Sequence, residues 1–173
     1  MKPHEEHRAR AARSLRVRVV TVSTSRYGKK KEGAKFDDEG GDAAEKEIRG
    51  AGHSVSGRGL VSDDARMLRK EVKAFLRGDD DVLVFTGGTG VSNRDVTIET
   101  VRPYLEKELD GFGELLRRLS YDEVGSAAML TRATMGVAGG KVLMCLPGSP
   151  GAVRTALSAA AGELSHAVYI ANS

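Results

Sequence analysis

A glycine-rich segment is the part of this sequence whose residue types and spacing most clearly predict chemistry. It is the glycine loop, residues 86–90, which consists of Thr86, Gly87, Gly88, Thr89 and Gly90 and follows a β-branched apolar run. That run predicts a strand buried on both faces. Three glycines in four positions allow positive φ and let a ligand lie against main-chain N–H groups, which favours an anion. The loop lacks the lysine of a Walker motif and the third glycine of a dinucleotide fingerprint, so it predicts neither.

The simpler alternative for the glycine loop is a turn that leads into a helix, with Asp95 or Thr97 as the N-cap. Such a turn needs one glycine rather than three, and this favours the anion site. Arg94 could bind a phosphate through two hydrogen bonds, or it could simply pair with its neighbour Asp95 or face solvent. The sequence leaves these alternatives open.

Asp63 and Asp95 are the acidic residues that we expect beside the anion site. Carboxylates repel a phosphate unless a divalent cation lies between them, and Mg²⁺ is typically held by one or two carboxylates together with substrate phosphates. We therefore predict catalytic and metal-binding roles for both aspartates, in magnesium-assisted chemistry on a nucleotide. Asp63 could instead cap the amphipathic helix that follows it.

The elements that must position these residues alternate between strands and helices. Strands are predicted at residues 17–22, 53–61, 82–85, 130–137 and 141–146. Helices are predicted at residues 42–49, 65–76, 98–109 with an interruption at Pro103, 111–119 with a turn or two more by residue 128, and 150–164. The alternation predicts an α/β fold of three layers, with a doubly wound, mostly parallel sheet and one antiparallel hairpin.

Ligands bind to such sheets where the loops at the carboxyl ends of parallel strands share one edge. Four predicted loops meet this condition, namely residues 23–26, 62–64, 86–95 and 147–150. The first contains Ser23 and continues into a long loop, predicted to be mobile, that carries the lysines of residues 29–35. In the last, Ser149 can cap a helix that has Pro150 at its first position. We therefore predict that Ser23, Gly148 and Ser149 help to bind the anion.

Composition excludes several other classes of protein. The 173 residues are 40% hydrophobic and 29% charged, without an apolar run that could cross a membrane. The net charge of +3 and the 5% of aromatic residues do not indicate a nucleic-acid partner. The first residues lack the apolar stretch of a secretory signal and Cys145 is the single cysteine, so we expect a cytoplasmic protein. We also expect residues 1–14 to be a flexible extension and residues 15–173 to form one domain.

Further patterns accompany the glycine loop. They are Arg-Asp-Val-Thr at residues 94–97, Gly-Phe-Gly-Glu-Leu at 111–115, the block at 119–133, and Leu-Pro-Gly-Ser-Pro-Gly-Ala at 146–152. With them the sequence resembles the molybdenum-cofactor biosynthesis family that includes MoaB, MogA and the pterin-binding domain of gephyrin. The resemblance extends from about residue 16 to residue 169. It is nearer to MoaB than to MogA and implies a fold like that of the molybdopterin-binding domain.

The resemblance also implies an activity. Active members of the family are molybdopterin adenylyltransferases, nucleotidyltransferases whose substrates are molybdopterin and Mg-ATP and whose metal ion is Mg²⁺. The terminal phosphate of molybdopterin attacks the α-phosphate of ATP, and pyrophosphate leaves. Asp63 and Asp95 match the two positions that the family uses for activity, and the glycine loop matches the site of the pterin phosphate. Thr24 departs from the pattern, because many relatives carry an acidic residue there, and the lysines of residues 29–35 are unusual.

The family resemblance further implies a homotrimer or a homohexamer, and a protein of the same pathway that inserts the metal as a partner. It leaves molybdenum and tungsten both open as the metal of the final cofactor. Two other functions fit the same resemblance. One is a carrier that binds molybdopterin without chemistry, and the other is an interaction module that uses the fold for assembly.

Overall fold

The structure is a computed structural model that describes residue 11 and residues 14–173. The extension predicted for residues 1–14 lies almost entirely outside the described residues. Within the described part, no helix is both long and apolar enough to cross a lipid bilayer.

One mixed sheet of six strands forms the middle of the molecule, in the order β2-β1-β3-β6-β5-β4. The strands are β1 Arg16–Val22, β2 Ser54–Val61, β3 Val82–Thr86, β4 Lys107–Glu108, β5 Thr134–Ala138 and β6 Lys141–Leu146. The first three strands and β6 are mutually parallel, whereas β5 runs antiparallel to β6 and β4 antiparallel to β5. The predicted, mostly parallel sheet with one hairpin is confirmed, and β4 was not predicted.

Helices cover both faces of this sheet, as the predicted three-layer fold requires. They are α1 Thr24–Lys31, α2 Glu39–Gly50, α3 Ala65–Arg77, α4 Thr97–Val101, α5 Asp110–Val124, α6 Pro150–Ala160 and α7 Leu164–Ala171. One core packs α2, α5, α6 and α7 against the sheet, and the other packs α3 and α4 against the opposite face.

The central strand β3 divides its side chains between the two cores. Val82 and Val84 belong to the core under α2 and α6, and Leu83 and Phe85 belong to the core under α3. All four are fully buried, as expected for a parallel strand with helices on both faces. The neighbouring Cys145 is also buried, and burial raises the pKa of its thiol. Cys145 is therefore a residue of the core rather than of a reactive site.

The prediction of a loop over residues 23–38 is wrong for the first half of this segment, because residues 24–31 form α1. Ser23 is the N-cap of α1, and its hydroxyl oxygen accepts a hydrogen bond from the Arg26 N–H. Lys29, Lys30 and Lys31 lie in the last turn, where cations stabilise the negative end of the helix dipole. These lysines therefore belong to a helix rather than to a mobile loop.

The helix predicted for residues 98–109 is also wrong beyond Val101, where α4 ends. Residues 102–104 form a 3₁₀ turn that contains Pro103, since a proline lacks the N–H that an α-helix needs and clashes with the preceding turn. The chain then becomes extended and forms β4. In contrast, residues 110–124 form one continuous helix, and a 3₁₀ segment at Gly125–Leu130 delays the start of β5 to Thr134.

A charged network fastens β4 to the rest of the fold and allows a stability prediction. Glu108 accepts two hydrogen bonds from the Arg102 guanidinium, at 2.9 and 2.8 Å, and another from the Thr134 hydroxyl. The Arg102 bonds, followed by the Thr134 bond, hold the pKa of Glu108 below its usual value. A lowered carboxyl pKa means that this stabilisation is present above the ordinary glutamate pKa and is lost as the pH falls through the folded-state pKa.

Glu108→Gln should therefore lower the free energy of unfolding by about 1 kcal/mol near neutral pH. The difference from the unaltered protein should shrink as the pH falls through the lowered pKa of Glu108, and urea denaturation at several pH values measures it. Glu114→Gln is the matched control, because Glu114 is exposed on α5 and its side chain has no hydrogen-bond partner within the described residues. An equal loss in both variants would contradict the prediction.

Candidate functional site

The four loops predicted to form the site do lie at one edge of the sheet, because the strands that precede them are parallel. Backbone hydrogen bonds join them in pairs. The Ser23 N–H donates to the Val61 carbonyl at 2.9 Å, and the Gly87 N–H donates to the Leu146 carbonyl at 2.9 Å. The ends of β1 and β2, and those of β3 and β6, are therefore held together.

The glycine loop needs its first two glycines for both backbone conformation and space. Gly87 and Gly88 have φ of 103° and 64°, values that favour glycine. A Cβ at Gly87 would overlap the Val22 carbonyl oxygen, and one at Gly88 would overlap the Thr97 hydroxyl. The loop therefore brings main-chain atoms closer to β1 and α4 than a residue with a side chain could.

Neither predicted N-cap of the following helix is found. The N-cap position of α4 is Val96, which makes no side-chain capping bond. Thr97 instead holds the glycine loop, since its hydroxyl donates to the Gly87 carbonyl and its N–H donates to the Gly88 carbonyl, each at 3.0 Å. The glycine loop does lead from a strand into a helix. The hydrogen bonds from Thr97, however, hold the loop in place and do not cap the helix.

Asp63 and Asp64 divide two roles that the sequence could not separate. Asp64 is the N-cap of α3, and its Oδ1 accepts hydrogen bonds from the Met67 and Arg66 N–H groups. These bonds, that from Met67 first, hold the pKa of Asp64 below its usual range. Asp63 does not cap α3, so the alternative predicted for it is wrong. Its Oδ2 accepts from the N–H and hydroxyl of Thr24 at 3.0 and 2.8 Å.

The other oxygen of Asp63 faces the glycine loop. A Cβ at Gly88 would lie 2.7 Å from Asp63 Oδ1, so this carboxylate stands directly beside the loop. Within the described residues, Asp63 Oδ1 accepts no hydrogen bond. Thr24 is thus a residue that positions Asp63.

Asp95 lies at the opposite end of the glycine loop. Its Oδ2 accepts a hydrogen bond from the Ser92 N–H at 3.0 Å, and a Cβ at Gly90 would lie 2.9 Å from the same oxygen. Its Oδ1 accepts no hydrogen bond from the described residues. Arg94 is exposed and forms no ion pair within the described part of the chain, so it faces solvent and does not pair with Asp95, and its role in phosphate binding stays a prediction.

A cleft of about 570 Å³ opens beside the glycine loop and has two walls. The loop wall consists of residues 87–90, 95 and 147–149. The helix wall consists of residues 120, 123, 124, 127, 130–132, 151 and 152, from α5, the segment that follows it and the start of α6. The cleft therefore includes Asp95, Gly148, Ser149 and four of the five residues of the glycine loop.

Ser149 is confirmed as the N-cap of α6, since its hydroxyl oxygen accepts from the Ala152 N–H at 3.4 Å, and Pro150 is at the first helical position. The N–H groups and positive dipole at this helix end suit an anion in the cleft. The remaining predicted residues do not line the cleft. Ser23 caps α1, Thr86 is only 1% exposed at the end of β3, and Asp63 is hydrogen-bonded to Thr24 beside Gly88.

Arg132 is a cleft residue that the sequence reasoning missed. One guanidinium nitrogen donates to the Gly90 carbonyl at 2.7 Å and the other pairs with Glu99. Burial is the largest influence and opposes the charge of Glu99, but the hydrogen bond from Arg132, a backbone hydrogen bond and the charges of Arg132 and Arg102 together outweigh it, so the pKa of Glu99 lies below its usual value. Arg132 is the one cation that lines the cleft among the described residues. It lies 42 positions from Gly90 in the sequence, with no local pattern to connect the two.

The carboxylates of Asp63 and Asp95 fit an Mg²⁺ ion that is coordinated both by the protein and by a bound ligand. The described residues contain no group of three or more His, Cys, Asp or Glu side chains that could hold a metal ion by themselves. Mg²⁺ does not need one, because one or two carboxylates with substrate phosphates and water complete its coordination. Asp63 and Asp95 each retain one oxygen without a hydrogen bond from the described residues, which fits this requirement.

The fold and the cleft define a class of protein: an α/β protein whose doubly wound sheet presents a glycine loop with one carboxylate beside each end. Comparison with known proteins gives the family. The family described as "Probable molybdopterin binding domain" matches residues 18–166. The chain belongs to this molybdenum-cofactor biosynthesis family.

Individual proteins of the family are similar to this chain over nearly its whole length. A protein of Methanocaldococcus jannaschii named probable molybdopterin adenylyltransferase is 41% identical over 155 residues, which are 89% of this chain and 92% of the relative. Molybdenum cofactor biosynthesis protein B of Bacillus anthracis is also 41% identical, over 88% of each chain. The crystal structure of the tungsten cofactor synthesizing protein MoaB from Pyrococcus furiosus has a TM-score of 0.82 at 35% identity, covering 94% of this chain and 100% of that one. The family and fold predicted from the sequence are confirmed.

Proposed function

We propose that this protein is a molybdopterin adenylyltransferase that transfers AMP from ATP to the terminal phosphate of molybdopterin during synthesis of a molybdenum or tungsten cofactor. The observation that carries the proposal is the glycine loop with a carboxylate at each end, Asp63 beside Gly88 and Asp95 beside Gly90. The name and 41% identity of the archaeal relative support the same reaction. A loop that only turned the chain would not require acidic groups around an anion site.

The reaction needs two phosphate groups to be held close together. An oxygen of the molybdopterin phosphate attacks the α-phosphorus of ATP, a new P–O bond forms, and the bond between the α-phosphorus and the bridging oxygen breaks. Pyrophosphate leaves with the electron pair of that bond. Main-chain N–H groups of the glycine loop and of the α6 N-terminus hold and orient phosphate oxygens.

Asp63 and Asp95 would hold Mg²⁺, through the oxygens that have no donor among the described residues. When bound, Mg²⁺ neutralises charge on the phosphates of ATP and on the departing pyrophosphate. Thr24 keeps Asp63 in place and the Ser92 N–H keeps Asp95 in place. The two carboxylates themselves transfer no proton in this scheme, because a phosphate oxygen is already a nucleophile near neutral pH.

The test of this function is incubation of the purified protein with molybdopterin, ATP and Mg²⁺. Release of pyrophosphate together with a pterin heavier by one AMP is the expected result. Pterin binding without a change of mass would instead identify a carrier, and a stable oligomer that binds no pterin would identify an interaction module.

We also propose, from the family, one domain over residues 15–173, a cytoplasmic location, a homotrimer or homohexamer, and a metal-insertion protein as partner.

Arg132 allows a prediction about substrate binding. Arg132→Gln should raise the KM for the phosphorylated substrates about 10-fold or more, because hydrogen bonds from a charged group contribute about 1.5–3 kcal/mol. The change removes the cation of the cleft and the bond to the Gly90 carbonyl. Steady-state kinetics measure it, and Arg132→Lys should restore part of the loss.

Arg118→Gln is the matched control for Arg132. Arg118 lies on α5, is exposed and forms no ion pair within the described residues. Arg118→Gln lowers the net charge of the protein by the same amount as Arg132→Gln, but it changes no residue that lines the cleft. If both variants raised the KM to the same degree, general electrostatic attraction rather than a specific contact would explain the effect.

A further inference from the structure

Glu123 is a second carboxylate in the cleft, and the proposed reaction does not use it. It lies on the helix wall, in the last turn of α5. The Thr155 hydroxyl of α6 donates a hydrogen bond to Glu123 Oε1 at 2.7 Å. An exposed glutamate would otherwise have several rotamers, so Thr155 fixes the carboxylate in one position at the cleft.

Among the described residues, the surroundings of Glu123 give its carboxylate no cationic partner. It forms no ion pair within the described residues, and its neighbours on the helix wall are Val124, Ala127 and Leu130. Asp95 already places one negative charge in this cleft. A further carboxylate repels the phosphates that the loop wall binds. This cost is offset if Glu123 accepts hydrogen bonds from a part of the substrate that is not phosphate.

The pterin ring has such a part. The 2-amino group and the N3–H of its pyrimidinone ring point in the same direction from adjacent atoms, as the two N–H groups of a guanidinium do. A carboxylate accepts a pair of this kind in two parallel hydrogen bonds. The ring is also flat, and its faces match an apolar wall such as that formed by Val124 and Leu130.

We propose that Glu123 binds the 2-amino-pyrimidinone edge of the pterin on the helix wall, while the glycine loop binds the terminal phosphate on the loop wall. Glu123 then determines which molecules enter in the productive orientation, and Thr155 is a positioning residue for it. This inference rests on the proposed function, because it names how the same cleft recognises the organic part of its substrate. A site built to accept these hydrogen bonds discriminates strongly against molecules that lack the donors.

The test compares Glu123→Gln with the unaltered protein, using molybdopterin as the probe. Glutamine keeps the size of the side chain but replaces one acceptor by an N–H₂ donor, which opposes the donors of the pterin. The KM for molybdopterin should rise by about 10- to 100-fold, as expected for hydrogen bonds to a charged group, and the KM for ATP should stay unchanged. Quenching of pterin fluorescence gives the dissociation constant without relying on turnover.

Two further variants separate recognition from structure. Asp122→Asn removes an exposed carboxylate from the adjacent position of α5, outside the cleft, and should leave both KM values unchanged. Thr155→Val should raise the KM for molybdopterin although Glu123 is intact, and Thr155→Ser, which retains the hydroxyl, should restore it. A structural role alone would not give a change confined to the pterin.

The outcomes distinguish the inference from the function on which it rests. If the unaltered protein adenylylates molybdopterin and Glu123→Gln binds the pterin equally well, the inference is wrong and the function stands. If the unaltered protein binds molybdopterin without chemistry and Glu123→Gln weakens that binding, the inference stands and the transferase is wrong. Absence of pterin binding by the unaltered protein overturns both.

Discussion

Asp95→Asn is expected to reduce the rate of adenylyl transfer about a thousandfold, which corresponds to about 4 kcal/mol of lost stabilisation of the transition state. The asparagine retains the size of the side chain and an oxygen that can accept from the Ser92 N–H, so the loop should keep its shape. It removes the charge that would hold Mg²⁺ beside the phosphates. Pyrophosphate release and the mass of the pterin measure the effect, and Asp63→Asn should act in the same direction.

Asp64→Asn is the matched control, because Asp64 is adjacent to Asp63 and undergoes the same chemical change. Asparagine caps a helix about as well as aspartate does, so α3 should remain intact. Its side chain bonds to the start of α3 and does not line the cleft, and turnover should stay near that of the unaltered protein. Full turnover in Asp95→Asn, or an equal loss in Asp64→Asn, would show that the acid site is assigned wrongly.

The parts of the site that could be predicted from the sequence are those with a local physical signal. The strand β3 and the glycine loop follow from an apolar run that ends in three glycines, and the Ser149 cap follows from a serine before a proline. Their position at one edge follows from the alternation of strands and helices, which makes the sheet parallel. These features need no knowledge of contacts between distant residues.

The parts that could not be predicted depend on contacts between residues far apart in the chain. The bonds from Arg132 to the Gly90 carbonyl and from Thr155 to Glu123 join segments 42 and 32 positions apart. In the sequence, Asp63 and Asp64 are equally good candidates for the cap of α3. Only the structure shows that Asp64 is the cap and that Asp63 is bonded to Thr24. The helix α1 was missed because its lysines indicate a solvated loop as much as a helix end.

Gly87→Ala is the second change with a large expected effect, because it combines backbone strain with a steric clash. Gly87 has φ of 103°, and an alanine Cβ would overlap the Val22 carbonyl oxygen, which belongs to the backbone of β1 and cannot rotate away. Strain of this kind and overpacking each cost about 1–3 kcal/mol. We expect a loss of about 3 kcal/mol in the free energy of unfolding, measured by urea denaturation, and weaker binding of molybdopterin.

Gly28→Ala tests whether these losses come from the conformation of Gly87 rather than from the loss of a glycine as such. Gly28 lies inside α1, and a Cβ there would meet nothing within 4 Å. Alanine is better than glycine in a helix by about 1 kcal/mol, so this variant should be slightly more stable and should bind molybdopterin normally. If Gly87→Ala were as stable as the unaltered protein and bound the pterin equally well, the close approach of the loop to β1 would not be needed, and the glycine loop would be only a turn.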